Sequence, residues 1–188
     1  MRKLKLQMQM TIDGFVAGPE GQLDWMSPEM DILQLQLLKE LTESMDTILL
    51  GRKMTEGFIT YWENIVNNQP DSPEYTYAEI FVDTPKIVFS KTIKTVNGKN
   101  AIVENEDLVE SVNKLKRQEG KDIIVYGGAN FVSELIKNNL INELNLFINP
   151  TAIGKGLKIF TDRFNFKLLN STSYPNGIVV NQYKQLVG

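Results

Sequence analysis

Three short segments of the chain carry residue types that hold anionic groups, and each directly follows a strand-like run. Gly51-Arg52-Lys53 comes after residues 47–50 and offers a helix start with two cationic side chains. Ser90-Lys91-Thr92 comes after residues 86–89 and offers two hydroxyls and an ammonium; a charge-assisted hydrogen bond from such a group is worth roughly 1.5–3 kcal/mol. Gly127-Gly128-Ala129-Asn130 comes after the β-branched run 123–125, with Tyr126 before it and the helical pattern Phe131, Val132, Leu135, Ile136 beyond. A strand that enters a helix through two glycines leaves backbone N–H groups outward at the positive end of the helix dipole, where phosphate binds readily.

Each segment alone also reads as an ordinary turn or polar loop. Ligands of open α/β sheets bind outside the carboxyl ends of the strands. If the three strands are neighbours, one rim offers two phosphate sites and a pyrophosphate site, which is the demand of NADPH. No G-x-G-x-x-G follows the first strand, so the spacing is not the Rossmann fingerprint.

The elements that must position these segments are legible in outline. Residues 3–12 alternate, with Leu4, Leu6, Met8, Met10 and Ile12 on one side and Lys3, Lys5, Gln7, Gln9 and Thr11 on the other, which predicts a strand with one buried face. Ser27-Pro28-Glu29 predicts a helix start, and Leu33, Leu37 and Leu41 one face of a helix running to about Ser44. A short helix is expected over 53–61, some helical pattern over 75–81, and strands at 47–50, 86–89, 101–103 and 144–148. Residues 105–119 read as a capped amphipathic helix with Gly120 past its end. Residues 166–173 and 178–186 read as a hairpin about Pro175-Asn176-Gly177. Strands alternating with helices, then a hairpin, predict an α/β three-layer fold. Its sheet is mainly parallel with an antiparallel edge, in one domain over residues 1–188.

Composition excludes several chemistries. The 188 residues contain no cysteine and no histidine, which removes Ser-His-Asp and thiolate catalysis and the usual zinc sites. No metal or flavin is implied. A net charge of −3 disfavours nucleic acid and anionic membranes as partners. No signal peptide or membrane-length apolar run is evident, and a cytoplasmic home is expected.

The sequence resembles the dihydrofolate-reductase-like superfamily, most closely the branch of the riboflavin-biosynthesis reductase domain and its stand-alone relatives. The matching residues are Thr11-Ile-Asp13-Gly14-Phe15-Val16-Ala17-Gly18, Leu23-Asp24-Trp25, Leu49-Leu50-Gly51-Arg52, Tyr61-Trp62, Lys86-Ile-Val-Phe-Ser90-Lys91, Ile124-Val-Tyr-Gly127-Gly128-Ala129, and Asn149-Pro150-Thr-Ala-Ile-Gly154-Lys-Gly156 with Phe160. The resemblance implies NADPH extended across the strand ends. Arg52 and Ser90-Lys91-Thr92 would lie near the adenosine phosphates, Gly127 and Gly128 at the pyrophosphate, in this family often through a cis peptide, and Val16, Ala17 and Gly18 at the nicotinamide. Lys53, Tyr126, Ala129, Asn130 and Phe131 complete the expected cofactor rim.

Trp25 would wall the pocket of a small-molecule substrate, with Asp13 as a substrate ligand or turn residue, and Asp13 or Asp31 the candidate proton donor. Relatives of this branch imply a homodimer. Three departures shape the expectation: Met54 replaces a threonine common in the family, removing one hydroxyl contact; neither Glu29 nor Asp31 falls at the place of the acidic residue that dihydrofolate reductases carry on the first helix; and residues 64–85 contain no arginine or lysine, which argues against folate and, less strongly, against the phosphorylated riboflavin precursor. The zinc deaminase that accompanies the riboflavin reductase needs ligands this chain lacks. The expected activity is hydride transfer from NADPH to a C=N or C=O carbon; the alternative is a nucleotide-binding protein that keeps the fold without turnover.

Overall fold

The computed structural model of the chain describes residues 1–27 and 32–186. Its strands are β1 (Leu4–Thr11), β2 (Met45–Gly51), β3 (Lys86–Phe89), β4 (Ala101–Glu104), β5 (Asp122–Val125), β6 (Glu143–Asn149), β7 (Phe166–Ser173) and β8 (Val179–Gln185). Its helices are α1 (Ile32–Glu43), α2 (Arg52–Asn68), α3 (Tyr75–Asp83), α4 (Leu108–Arg117) and α5 (Ala129–Lys137). The strands form one sheet in the order β4-β3-β2-β5-β1-β6-β8-β7. Pairing is parallel from β4 through β6 and antiparallel at β8 and β7, as the expected hairpin edge requires.

Apolar side chains settle which helix covers which face. Leu4, Leu6, Met8 and Met10 of β1, with Ile123 and Val125 of β5, pack under Val112 of α4 and Val132, Leu135 and Ile136 of α5. Ile48 and Leu50 of β2, Val88 of β3 and Ile124 of β5 pack under Leu41 of α1, Phe58 and Trp62 of α2 and Phe81 of α3. The result is three layers.

Two coverings explain why β1 has no solvent face, contrary to the alternation. It lies between β5 and β6, and Gln7 and Thr11 are buried along with the leucines. The outward polar set is paired instead: the Lys5 ammonium lies 2.8 Å from the Asp122 carboxylate. Ile12, one residue past the strand, is exposed.

Two helices depart from the expected limits and a third from the expected buried face. Helix α2 runs on to Asn68 because Ile65 is buried and Trp62 meets Phe81 at 4.6 Å between ring centroids. Helix α4 starts later, where the Asp107 carboxylate accepts from the N–H groups of Val109 and Glu110. In α1, Leu33 is exposed and Gln34 buried. The helix turns Gln34 toward the hairpin, where its side-chain oxygen accepts from Asn176 at 2.7 Å. The expected start at Pro28-Glu29 lies outside the described residues.

Lys86 opens β3 with a buried side chain whose ammonium donates to the carbonyls of Phe81, Val82 and Thr84 at 2.8, 3.0 and 2.8 Å. It thereby closes the end of α3, whose last carbonyls have no helical partner. Burial pushes its pKa down to about 8 from 10.5. Between those values the unfolded chain binds a proton that the folded chain does not, so this group's contribution to stability rises with pH across that window. Lys86→Met should lower stability by about 1–3 kcal/mol, the cost of leaving buried carbonyls unpaired. Urea unfolding at pH 7 and pH 10 should show a larger deficit at the higher pH.

Candidate functional site

The carboxyl ends of β3, β2, β5 and β1 lie side by side in the sheet, so the three segments with anion-holding residues share one rim. Gly51 ends β2 and Gly128 precedes α5, and their backbones nearly touch. A Cβ on Gly51 would lie 2.7 Å from the Phe131 Cβ and 3.4 Å from the Gly128 Cα; one on Gly128 would lie 3.2 Å from the Gly51 Cα. Gly128 also holds φ at +87°, a left-handed conformation that disfavours any side chain. That rotation makes the turn with no cis bond: among the described residues no peptide is cis, which corrects the expectation for Gly127-Gly128.

The close approach brings the starts of α2 and α5 together. Neither helix has a side chain capping its first N–H groups, and neither carries an acidic residue in its first turn. Helix α4, which contributes nothing to this meeting point, has both. Two sets of unsatisfied donors and two positive dipole ends therefore face the same space.

The segment after β1 closes the other end. The Val16 N–H donates to the Leu157 carbonyl at 2.9 Å, and the Leu157 N–H donates to that of Ala17 at 2.8 Å. Gly156 permits this contact, since a Cβ there would collide with the Ala17 carbonyl. Asp13 fastens the same two loops. Its carboxylate accepts from Ile153 and Gly154 N–H groups at 3.0 and 2.7 Å and from the Thr11 hydroxyl. The Thr11 bond and those N–H groups hold its pKa below the usual carboxylate value.

Between these walls is a cleft of about 670 Å³. Val16, Ala17, Gly51, Arg52, Lys53, Ser90, Lys91, Thr92, Tyr126, Gly127, Gly128, Ala129, Asn130 and Phe131 all line it. Gly18 does not; it holds the adjoining turn, its N–H donating to the Gln22 carbonyl. Neither Asp13 nor Trp25 reaches the lining. The Trp25 indole is buried and donates to the Gln22 carbonyl at 3.2 Å. Asp31 lies outside the described residues.

The cations differ in what they have left to offer. The Lys91 ammonium donates to the carbonyls of Asn105 and Glu106 at 2.8 and 2.7 Å. The Ser90 hydroxyl accepts from the N–H groups of Thr92 and Ile93, so this turn is knit internally. Arg52 and Lys53 are exposed and make no ion pair among the described residues.

Sequence reasoning missed Met8, Pro19, Glu20, Gly21, Leu23, Phe89 and Leu157 as lining residues. Met8 reads as one more core residue of an alternating strand. Leu157 arrives only because the Gly154-Lys155-Gly156 loop folds back on β1. Met54 occupies the lining, with its sulfur 2.9 Å from where a Cβ on Gly127 would sit. Among the described residues no group of three or more acidic ligands could hold a metal, and no helix is long and apolar enough to cross a membrane.

The model of the RibD C-terminal domain family matches residues 2–180. The uncharacterized protein YyaP of Bacillus subtilis (strain 168) is 34% identical over 183 residues, covering 95% of this chain and 92% of that protein. Among solved structures, a protein from Shewanella sp. PV-4 assigned to riboflavin biosynthesis superposes with a TM-score of 0.73 at 20% identity, covering 100% of both chains. The dihydrofolate reductase of Enterococcus faecalis, complexed with NADP(H) and RAB-propyl, superposes with a TM-score of 0.62 at 16% identity, covering 98% of this chain and 97% of that one. These structural likenesses establish a dihydrofolate-reductase-like fold.

Gly128→Ala should cost about 1–2 kcal/mol for the left-handed backbone alone, plus the contact with Gly51, read as a lower urea midpoint. Asp13→Asn should destabilise the chain at pH 7. The folded-state pKa of Asp13 is depressed, so its contribution is present above the unfolded value of 3.8 and lost below it. The difference from wild type should therefore shrink in unfolding curves taken at falling pH.

Proposed function

The chain belongs to the RibD C-terminal domain family, and from that premise we propose that it is an NADPH-dependent reductase acting on a C=N or C=O carbon of a small heterocyclic or related compound. The observation that carries this reading is the meeting of two uncapped helix starts at Gly51 and Gly128, with two unpaired cations beside them. A pyrophosphate suits the glycine cradle, because a Cβ at either position would fill it. Arg52 and Lys53 suit the additional phosphate that distinguishes NADPH from NADH. Ser90, Lys91 and Thr92 shape that end of the cleft, and the turn already takes two of the Lys91 donors and the acceptor side of the Ser90 hydroxyl.

When bound, NADPH supplies the hydride. The chain's residues position the reactants and exclude water. Val16, Ala17, Met8 and Leu157 form an apolar wall at the β1 end of the cleft. Asp13 binds the loops together and keeps its carboxylate ionised, which makes it a fastener rather than the proton donor. Nothing in the cleft fixes the riboflavin precursor as substrate. The cations lie on the β2–β3 side, and Glu20 is the carboxylate of the lining.

Titration of the protein with NADPH and NADH, followed by fluorescence, tests the reading. NADPH should bind much more tightly. Arg52→Ala should weaken NADPH about tenfold, equivalent to about 1.4 kcal/mol, while leaving NADH nearly unchanged. Binding of neither nucleotide at millimolar concentration would overturn the proposal. Binding without oxidation of NADPH across a panel of carbonyl and imine acceptors would leave a nucleotide-binding protein instead.

A further inference from the structure

The cleft runs between two separate apolar clusters. Val16, Phe89, Phe131 and Leu157 belong to the cluster under α4 and α5, whereas Met54 and Tyr126 belong to the one under α1, α2 and α3. Tyr126 therefore does two things. Its backbone leads into the glycine rim, while its ring leaves that rim for the α2 and α3 side. There it stacks on Phe58 at 5.8 Å and 26° and meets Phe81 edge-on at 5.1 Å and 83°. Two aromatic neighbours and a strand end fix the ring, and with it the direction of the hydroxyl.

That hydroxyl makes no hydrogen bond to any described residue, yet its oxygen is not sealed from solvent. Other tyrosines of this face differ. Tyr61 donates to the Glu74 carboxylate at 2.5 Å, and Tyr77 to the Leu35 carbonyl at 2.9 Å. A phenol held among aromatic rings normally finds a partner, and because Tyr126 is a lining residue of the cleft, a group that enters the cleft is the candidate for it. Burial keeps the phenol above its ordinary pKa, which makes it a neutral donor throughout the working pH range.

We infer that the Tyr126 hydroxyl is a specificity-determining hydrogen-bond donor for the hydride acceptor, taking a carbonyl oxygen or imine nitrogen of a flat, uncharged ring compound seated beside Met54. The inference rests on the reductase reading, which puts the nucleotide on the glycine rim and leaves the Met54–Tyr126 wall for the second reactant. A site built to donate to such a group rejects analogues that lack it.

Quinoxalin-2-one is a suitable probe, since it is planar and uncharged and offers both a C=O and a C=N group. It would be titrated into wild type and Tyr126→Phe, each saturated with NADP⁺. The variant keeps the ring packing, so its melting temperature and NADP⁺ affinity should match wild type. Its affinity for the probe should fall about tenfold, and the infrared carbonyl or imine band of the bound probe should lose the hydrogen-bond shift seen in wild type. Equal affinities with identical bands would overturn the inference, as would failure of NADP⁺-loaded wild type to take up the probe. If NADP⁺ itself does not load, the cofactor reading falls, and the same titration on the free protein decides the role of Tyr126 separately.

Discussion

The approach of two backbones at Gly51 and Gly128 is the constraint on which the site depends. The Cα of each lies within 3.5 Å of where the other would carry a Cβ, and a Cβ on Gly51 would also come within 2.7 Å of the Phe131 Cβ, so larger residues fit poorly at either position. It lets α2 and α5, which cover opposite faces of the sheet, begin at the same point on its edge. Their unpaired N–H groups and positive dipole ends then add together rather than act apart. A side chain at either position would push the helices apart and fill the space between them.

The rest of the rim is held open from both ends. On the β1 side, Asp13, the exchange of hydrogen bonds between Val16, Ala17 and Leu157, and the glycine at 156 bind two loops that are far apart in the chain. On the β3 side, Lys91 and Asn105 tie the Ser90 turn to the segment before α4. Charged and polar groups that look free in the sequence are thereby consumed as fasteners. The groups left over, Arg52, Lys53 and the Tyr126 hydroxyl, are the ones with something to offer a ligand.

Most of the strands were legible because a buried strand in a parallel sheet is a short β-branched run closed by glycine or a polar turn, and 47–50, 86–89 and 123–125 have that form. The errors have specific causes. Alternation in β1 suggested one wet face, but a central strand is covered on both, and its polar side chains are paired rather than solvated. The end of α2 was set by the burial of Ile65 and by Trp62 meeting Phe81 of α3, which no local period announces. In α1 the buried stripe includes Gln34, whose side-chain oxygen accepts from Asn176 of the hairpin turn.

By itself the sequence determined the three-layer α/β class, the position of Gly51, Arg52, Ser90 and Gly128 just beyond strand ends, and the absence of histidine and cysteine chemistry. These follow from local period, turn residues and composition, which are properties of neighbours in the chain. Only the tertiary structure decided that these segments share one rim, that Lys91 bonds to carbonyls, that Asp13 is a fastener, that Trp25 is outside the cleft lining, and that the lining residue Tyr126 keeps an unpartnered hydroxyl. Whether a polar group is free depends on which distant donor or acceptor folds against it, and that is fixed only when the sheet brings segments a hundred residues apart into contact.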